Sequence, residues 1–208
     1  MVSWTIPLHT GVYWRLTIDV TRGHMVNIVK IGTTKYHVDV GFGGNGPIVP
    51  MPLVRNGTAQ PHIGPASARL QWKNIPANTD PDQRLWTYEH RISADKDYEL
   101  TYCFTELEFL PADYHVLNYF TSTNQNVFFT QIIVGEKKLL ENGELVGSLI
   151  LGNNDMKWRI QGEKTREIKF ETEYDRVRAI EEHFGIKLSQ AERDGIQGLP
   201  SQLKQSGA

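Results

Sequence analysis

Hydrophobic and polar positions follow two rhythms along the chain, and the change comes near Tyr174. Before it, short runs rich in aromatic and β-branched residues suit a pleated, half-buried surface. They are Val12 to Val20, His24 to Ile31, Lys35 to Val40, Leu85 to Ile92, Tyr98 to Phe104, Val127 to Val134, Lys138 to Leu140 with Glu144 to Leu151, and Trp158 to Phe170. Gly32 separates the second run from the third as a turn residue. Gly41 to Pro52 holds four glycines and three prolines in twelve residues and must be irregular. Pro111 to Asn118 reads as one or two helical turns. From Tyr174 the apolar residues fall at Val177, Ile180 and Phe184, spaced as on one helix face, and Gly185 is placed to stop that helix. Ser189-Gln-Ala-Glu192 is a capping box that opens a second short helix toward Ile196. The polar tail from Ser201 is expected to fray. Many short strands with turns between them predict an antiparallel β-barrel over roughly residues 10 to 110. The fold class is mainly β with an α/β C-terminal part.

Composition narrows the function classes. A chain of 208 residues with 39% hydrophobic residues builds one domain or two small ones around a packed core. Lys and Arg number 22 against 24 Asp and Glu, a balance that argues against binding nucleic acid through its phosphates. No apolar run approaches the roughly 18 residues of a membrane span. The start, Met1-Val-Ser-Trp-Thr-Ile-Pro7, has neither the basic flank nor the apolar stretch of a signal peptide, so the expected compartment is the cytoplasm. A single cysteine, Cys103, excludes an internal disulfide and a cysteine-rich zinc site.

Gly41-Phe-Gly-Gly-Asn-Gly46 satisfies the spacing of a dinucleotide-binding loop, which needs a helix to begin inside it. Pro47, Pro50 and Pro52 follow instead, so the glycines read as a tight loop or a close backbone approach. His24 and Asp39 are more informative. A four-residue turn, Lys30 to Thr33, sets them directly opposite on paired strands, with Cβ atoms roughly 4.5–5.5 Å apart. Two readings stand: a carboxylate that fixes a catalytic imidazole, or a polar pair at a barrel rim. His37 shares a strand face with Asp39, and either competes for that carboxylate or is solvated. His9, His62, His90, His115 and His183 have no ligand-like spacing, and no metal is expected. Cys103, between Tyr102 and Phe104, reads as a small buried apolar residue.

Taken together, several segments resemble the arylamine N-acetyltransferase family, in its fungal form. They are His24-Met-Val-Asn-Ile-Val29, Tyr36-His-Val-Asp39-Val-Gly-Phe42-Gly, Glu108-Phe-Leu-Pro-Ala-Asp113, Asn118-Tyr-Phe-Thr-Ser-Thr123 and Phe184-Gly-Ile-Lys-Leu-Ser-Gln-Ala-Glu192. The resemblance implies a Cys-His-Asp triad in which the cysteine takes an acyl group from acetyl-CoA or another acyl-CoA and passes it to an aromatic amine or hydrazine. On that pattern His24 is the histidine, Asp39 the aspartate, and Phe42 lines the acceptor pocket. Phe120 and Asn126 fall at CoA-contacting positions, although Asn124-Gln-Asn126 departs from the Ser-Pro-x-Ser of many members. No permanently bound cofactor, nucleic acid or membrane is implied.

The resemblance also implies domains: an unmatched segment at 1–23, a β-barrel with the His/Asp pair at 24–110, and an α/β lid with C-terminal helices at 111–208. The family's cysteine sits several tens of residues before the histidine, in a cysteine-proteinase-like helical subdomain. Here 23 residues precede His24 and none is cysteine, so that subdomain is expected to be absent. A truncated gene model, an alternative start or a decayed copy would each account for this. Three functions follow: an N-acyltransferase whose nucleophile lies outside this chain, a non-catalytic homologue that binds CoA or an intact paralogue, and an unrelated β-barrel binding protein.

Overall fold

A computed structural model describes residues 2–3, 24–55 and 57–203. The expected strand Val12 to Val20 lies outside the described residues. The chain divides into two compact units, Met1–Tyr114 and His115–Ala208.

The first unit contains two antiparallel sheets. One has the order β1 (Val2–Ser3), β2 (Val26–Ile31), β3 (Thr34–Val38) and β4 (Met51–Pro52). The other runs β5 (Ala59–Pro61), β6 (Ser67–Lys73), β7 (Leu85–Arg91) and β8 (Glu99–Phe104). Among the described residues neither sheet closes on itself: they form two open sheets that share a core, and the closure expected of a barrel is not confirmed. Val26, Ile28 and Met51 of the first sheet pack with Ala68, Leu70, Trp86, Tyr88, Tyr102 and Phe104 of the second. Side chains alternate along a strand, so β8 serves two clusters. Tyr102 and Phe104 enter the shared core, while Cys103 packs with Ile75 and Leu85.

Strand β6 escaped the sequence reading because Arg69 and Lys73 interrupt its apolar pattern. Both are paired across the sheet with Glu89 of β7, which is 2% exposed. That partner makes the charges compatible with a central strand.

Helix α1 (Pro111–Thr123) carries the chain out of the first unit, with proline at its first position and Asp113 accepting the Leu110 N–H at 2.7 Å. Within the second unit, the expected strand Val127 to Val134 instead contains a short helix, α2 (Phe128–Gln131). Local bonds decide this. The Thr130 hydroxyl donates to the carbonyls of Asn124 and Val127, and the Asn126 N–H donates to Asn124 Oδ1.

A meander of β9 (Gly135–Glu141), β10 (Glu144–Leu151), β11 (Asp155–Ile160) and β12 (Glu163–Lys169) follows. The single expected run Trp158 to Phe170 is split by Gln161-Gly162, with φ of 51° and 85°. Asn142-Gly143 makes the equivalent turn between β9 and β10, with φ of 51° and 86°. Helix α3 (Glu173–Ala179) passes into a π turn over Ile180–Phe184, and Gly185 ends it at φ 73°. Ser189 caps α4 (Gln190–Asp194), which stops two residues short of Ile196. Leu149, Leu151, Met156, Phe170, Ala179 and Ile180 form the core of this unit. Ser201 is buried rather than frayed, because the Arg176 guanidinium donates to its carbonyl at 3.1 Å. Among the described residues no helix is long and apolar enough to cross a membrane.

Candidate active site

The hairpin β2–β3 places the site. Its turn is two residues long, Gly32-Thr33, with Gly32 at φ 61° where a type II′ turn takes glycine. Ile28 therefore pairs with His37 and Asn27 with Val38, a register two residues away from the expected one. His24 and Asp39 are not directly opposite. They lie just beyond the paired strand ends and meet diagonally. A slip of one residue would have turned the two side chains to opposite faces, but a slip of two preserves the face. His24 Nε2 accordingly lies 2.7 Å from Asp39 Oδ2.

Asp39 is saturated with donors. Its Oδ1 accepts the N–H groups of Gly41 at 2.9 Å and Phe42 at 3.2 Å, and its Oδ2 accepts from the Tyr102 hydroxyl at 2.8 Å as well as from His24. The side chain has no exposed surface. Burial pushes its carboxyl up, but the bond and charge of His24, the Gly41 N–H and the Tyr102 hydroxyl together hold it below the ordinary carboxylate value. An ionised Asp39 accepts only, so the His24 proton sits on Nε2 and Nδ1 is left as an acceptor.

The glycine-rich loop shapes the wall of this site. No helix starts in Gly41–Gly46, and the dinucleotide geometry is not formed. Gly46 donates its N–H to Gly43 O, and a Cβ at Gly46 would stand 2.8 Å from the Phe42 Cβ. This close approach seats Phe42, whose ring meets that of His24 edge-on at 5.3 Å. The Tyr88 hydroxyl donates to Asn45 O at 2.8 Å and His62 Nε2 to Gly46 O at 2.8 Å, tying the loop to the second sheet.

Two neighbours were misread or missed from sequence. His37 is neither solvated nor a direct competitor for Asp39: it is fully buried, with Nε2 3.0 Å from the Tyr102 hydroxyl oxygen. Its ring stacks on Phe104 at 4.8 Å. Burial lowers its pKa to about 4, partly opposed by the charge of Asp39. Its Nδ1 is buried with no hydrogen-bond partner among the described residues, a situation that typically costs about 1–3 kcal/mol. Tyr102 was read only as a neighbour of Cys103. Burial and the charge of Asp39 push its hydroxyl well above the ordinary tyrosine value, so it remains a donor. The available signal was alternation: Tyr102 and Cys103 must point to opposite faces.

That alternation also places the thiol. Cys103 is buried in the cluster of Ile75 and Leu85, on the face of β8 that turns away from Tyr102 and hence from Asp39. Phe120, 51% exposed on α1, and Asn126, exposed in the turn before α2, belong to the second unit. Among the described residues no group of three His, Cys, Asp or Glu is placed to hold a metal ion.

Comparison with known proteins bears on the family and the fold. A model of the N-acetyltransferase family matches residues 5–193, beginning inside the segment 1–23 that the sequence reading left outside the resemblance. The N-malonyltransferase FDB2 of Gibberella moniliformis is 34% identical over 182 residues, covering 83% of this chain and 52% of that protein. The chain thus spans about half the length of the curated relatives it matches. The arylamine N-acetyltransferase of Salmonella typhimurium shares the fold at a TM-score of 0.73 and 18% identity, over 94% of this chain and 66% of that one. The Mycobacterium marinum arylamine N-acetyltransferase in complex with CoA does so at 0.67 and 21%, over 89% and 62%. Because the family match runs over most of its length, this chain belongs to the arylamine N-acetyltransferase family.

Proposed function

We propose that this chain supplies the histidine and aspartate of an acyl-CoA-dependent N-acyltransferase site, with an aromatic amine or hydrazine as acceptor. The observation that carries the reading is the buried Asp39 carboxylate, satisfied by four donors, holding His24 by Nε2. In such a site the free Nδ1 accepts the proton of a thiol. The resulting imidazolium lowers the thiol pKa from about 8.5 toward 3.5–7.5. The thiolate attacks the thioester carbon of acyl-CoA, and CoA leaves as a thiol with the proton from His24. The amine then attacks the acyl-enzyme, His24 takes the amine proton, and the thiolate departs from the amide product. Asp39 stays charged throughout and fixes the ring.

In this reading Phe42 lines the acceptor side, and Phe120 and Asn126 contact CoA. Residues 24–110 carry the histidine–aspartate pair and 111–208 form the lid. Because Cys103 faces another cluster, the reacting sulfur comes from sequence outside these 208 residues. The relatives named N-malonyltransferase favour malonyl-CoA over acetyl-CoA as donor. The orientation of Cys103 also supports a second reading, a homologue that binds CoA or an intact paralogue without transfer.

Intact mass and CoA release separate these readings. The 208-residue chain and the protein read from the complete transcript are each given malonyl-CoA or acetyl-CoA with an aromatic amine. The chain alone should stay unmodified. The longer protein should gain one acyl group, preferentially malonyl, and lose it on His24→Ala or Asp39→Ala. A stoichiometric adduct on Cys103 would refute the assignment of the nucleophile. Acyl-CoA binding by the longer protein with no adduct and no turnover would establish the second reading.

A further inference from the structure

The polar chain at the site does not end at Asp39. Asp39 Oδ2 accepts from the Tyr102 hydroxyl at 2.8 Å, and the same oxygen of Tyr102 lies 3.0 Å from His37 Nε2. A tyrosine hydroxyl has one proton, and an ionised carboxylate takes it. The only role left to His37 Nε2 is therefore donor, which places the ring's proton on Nε2 and leaves Nδ1 bare. That Nδ1 is buried and unpartnered among the described residues. Packing alone does not explain a histidine here, because an aliphatic side chain would fill the position between Phe104, Tyr88 and Tyr102 without an orphaned acceptor. What an aliphatic residue cannot do is donate to Tyr102.

We propose that His37 is a positioning residue of the site, donating through Nε2 to the Tyr102 hydroxyl so that Tyr102 in turn donates more strongly to Asp39. The proposal rests on reading His24 and Asp39 as the catalytic pair. Donation into a hydroxyl oxygen polarises its O–H, and linked hydrogen bonds strengthen one another by roughly 10–30% per bond in a low-dielectric interior. The result is a carboxylate pinned on one side by Tyr102 and on the other by Gly41 and Phe42, free to present one direction to His24. Among the described residues the groups facing His37 are Tyr88 from β7, Tyr102 and Phe104 from β8, Asp39 from its own strand end and His24 from the segment before β2. Asp39 is the only carboxylate among them.

The test uses NMR on the full chain and needs no turnover, so it stands whether or not the acyltransferase reading survives. Nitrogen shifts should show the His37 proton on Nε2. His37→Leu removes the donor; His37→Gln replaces it with an amide N–H at nearly the same reach. In His37→Leu the Tyr102 Cζ shift at neutral pH should move, and the Asp39 carboxyl midpoint should rise by about 0.3–0.6 pH unit. In His37→Gln both should return to their original positions. In a Tyr102→Phe background His37→Leu should add nothing. His37→Leu should melt no lower than the parent, since the orphaned nitrogen goes with it. A proton found on Nδ1, unchanged Tyr102 and Asp39 signals in His37→Leu, or an effect that persists without the Tyr102 hydroxyl would overturn the proposal.

Discussion

Asp39 in the first unit and Glu167 in the second are both carboxylates held below their ordinary range by neighbours, and the neighbours are of opposite kinds. Glu167 owes its shift, to about 2, to bonds from Lys164 and Lys169 on the surface of β12. Those lysines are long and exposed over 49% and 66% of their side chains, so water and salt screen the pairing and ordering the chains offsets much of the attraction. Asp39 takes its donors from two backbone N–H groups, an imidazole and a phenol that packing already holds in place. Little entropy remains to be lost there, and the buried Tyr102 hydroxyl above all would be stranded if the carboxylate were removed. The depth of a carboxylate's shift is therefore a poor guide to its structural weight. What its partners would do without it is a better one.

The sharpest way to break this comparison is to delete each carboxylate. Asp39→Ala leaves the buried Tyr102 phenol and the half-buried His24 imidazole without their acceptor, and should lower unfolding stability by about 3–5 kcal/mol in a urea titration. A loss no larger than that of a surface substitution would show that the network relaxes or hydrates.

Acid sharpens it next. His37 is buried neutral, with its pKa lowered from 6.5 to about 4, while in the unfolded chain it takes up a proton near 6.5. The unfolded state thus binds more protons across that window, and stability falls as pH drops from about 6.5 to 4, by roughly 3 kcal/mol. Asp39 acts lower: its contribution is present above the unfolded carboxyl value and is lost as pH falls through its depressed folded value. Unfolding curves at stepped pH should show the first window flattened in His37→Leu and retained in Asp39→Asn.

The second unit has its own rigid point, and it is steric. Gly147 lies where the β9–β10 register shifts, and a Cβ there would fall 2.0 Å from the carbonyl oxygen of Arg159. Gly147→Ala should lower stability by about 1–3 kcal/mol, with the loss confined to amide exchange protection in β10 and β11. The smallest effect belongs to Glu167→Gln, which should leave the urea midpoint unchanged within error at moderate salt. A clear drop there would mean that the surface lysine network is more ordered than its exposure implies.

Much of the site was readable from periodicity. Strands β2 and β3, the turn at Gly32 and the meeting of His24 with Asp39 all follow from alternation with a turn between. The reading even survived a wrong loop length, because a two-residue slip returns every side chain to its own face. Capping at Ser189 and the stop at Gly185 were equally local, since each concerns a backbone group and a side chain within one turn. Val127 to Val134 failed for the converse reason: its composition suits a strand, but hydroxyl and amide side chains bonded to nearby backbone bend it into a helix.

What tertiary structure alone decided is which faces meet. Nothing within Lys35 to Val40 distinguishes a solvated His37 from a buried one; the answer comes from Phe104, Tyr88 and Tyr102, which arrive on strands from another sheet. Charged Arg69 and Lys73 conceal a central strand in the sequence, because their shared partner Glu89 lies on the neighbouring strand. By itself the sequence determined most local elements, the family likeness and the facing of His24 and Asp39, all of which are carried by spacing along the chain. The burial of His37 and the recruitment of Tyr102 to Asp39 were set by packing between sheets, because hydration and hydrogen bonding depend on neighbours in space rather than in sequence.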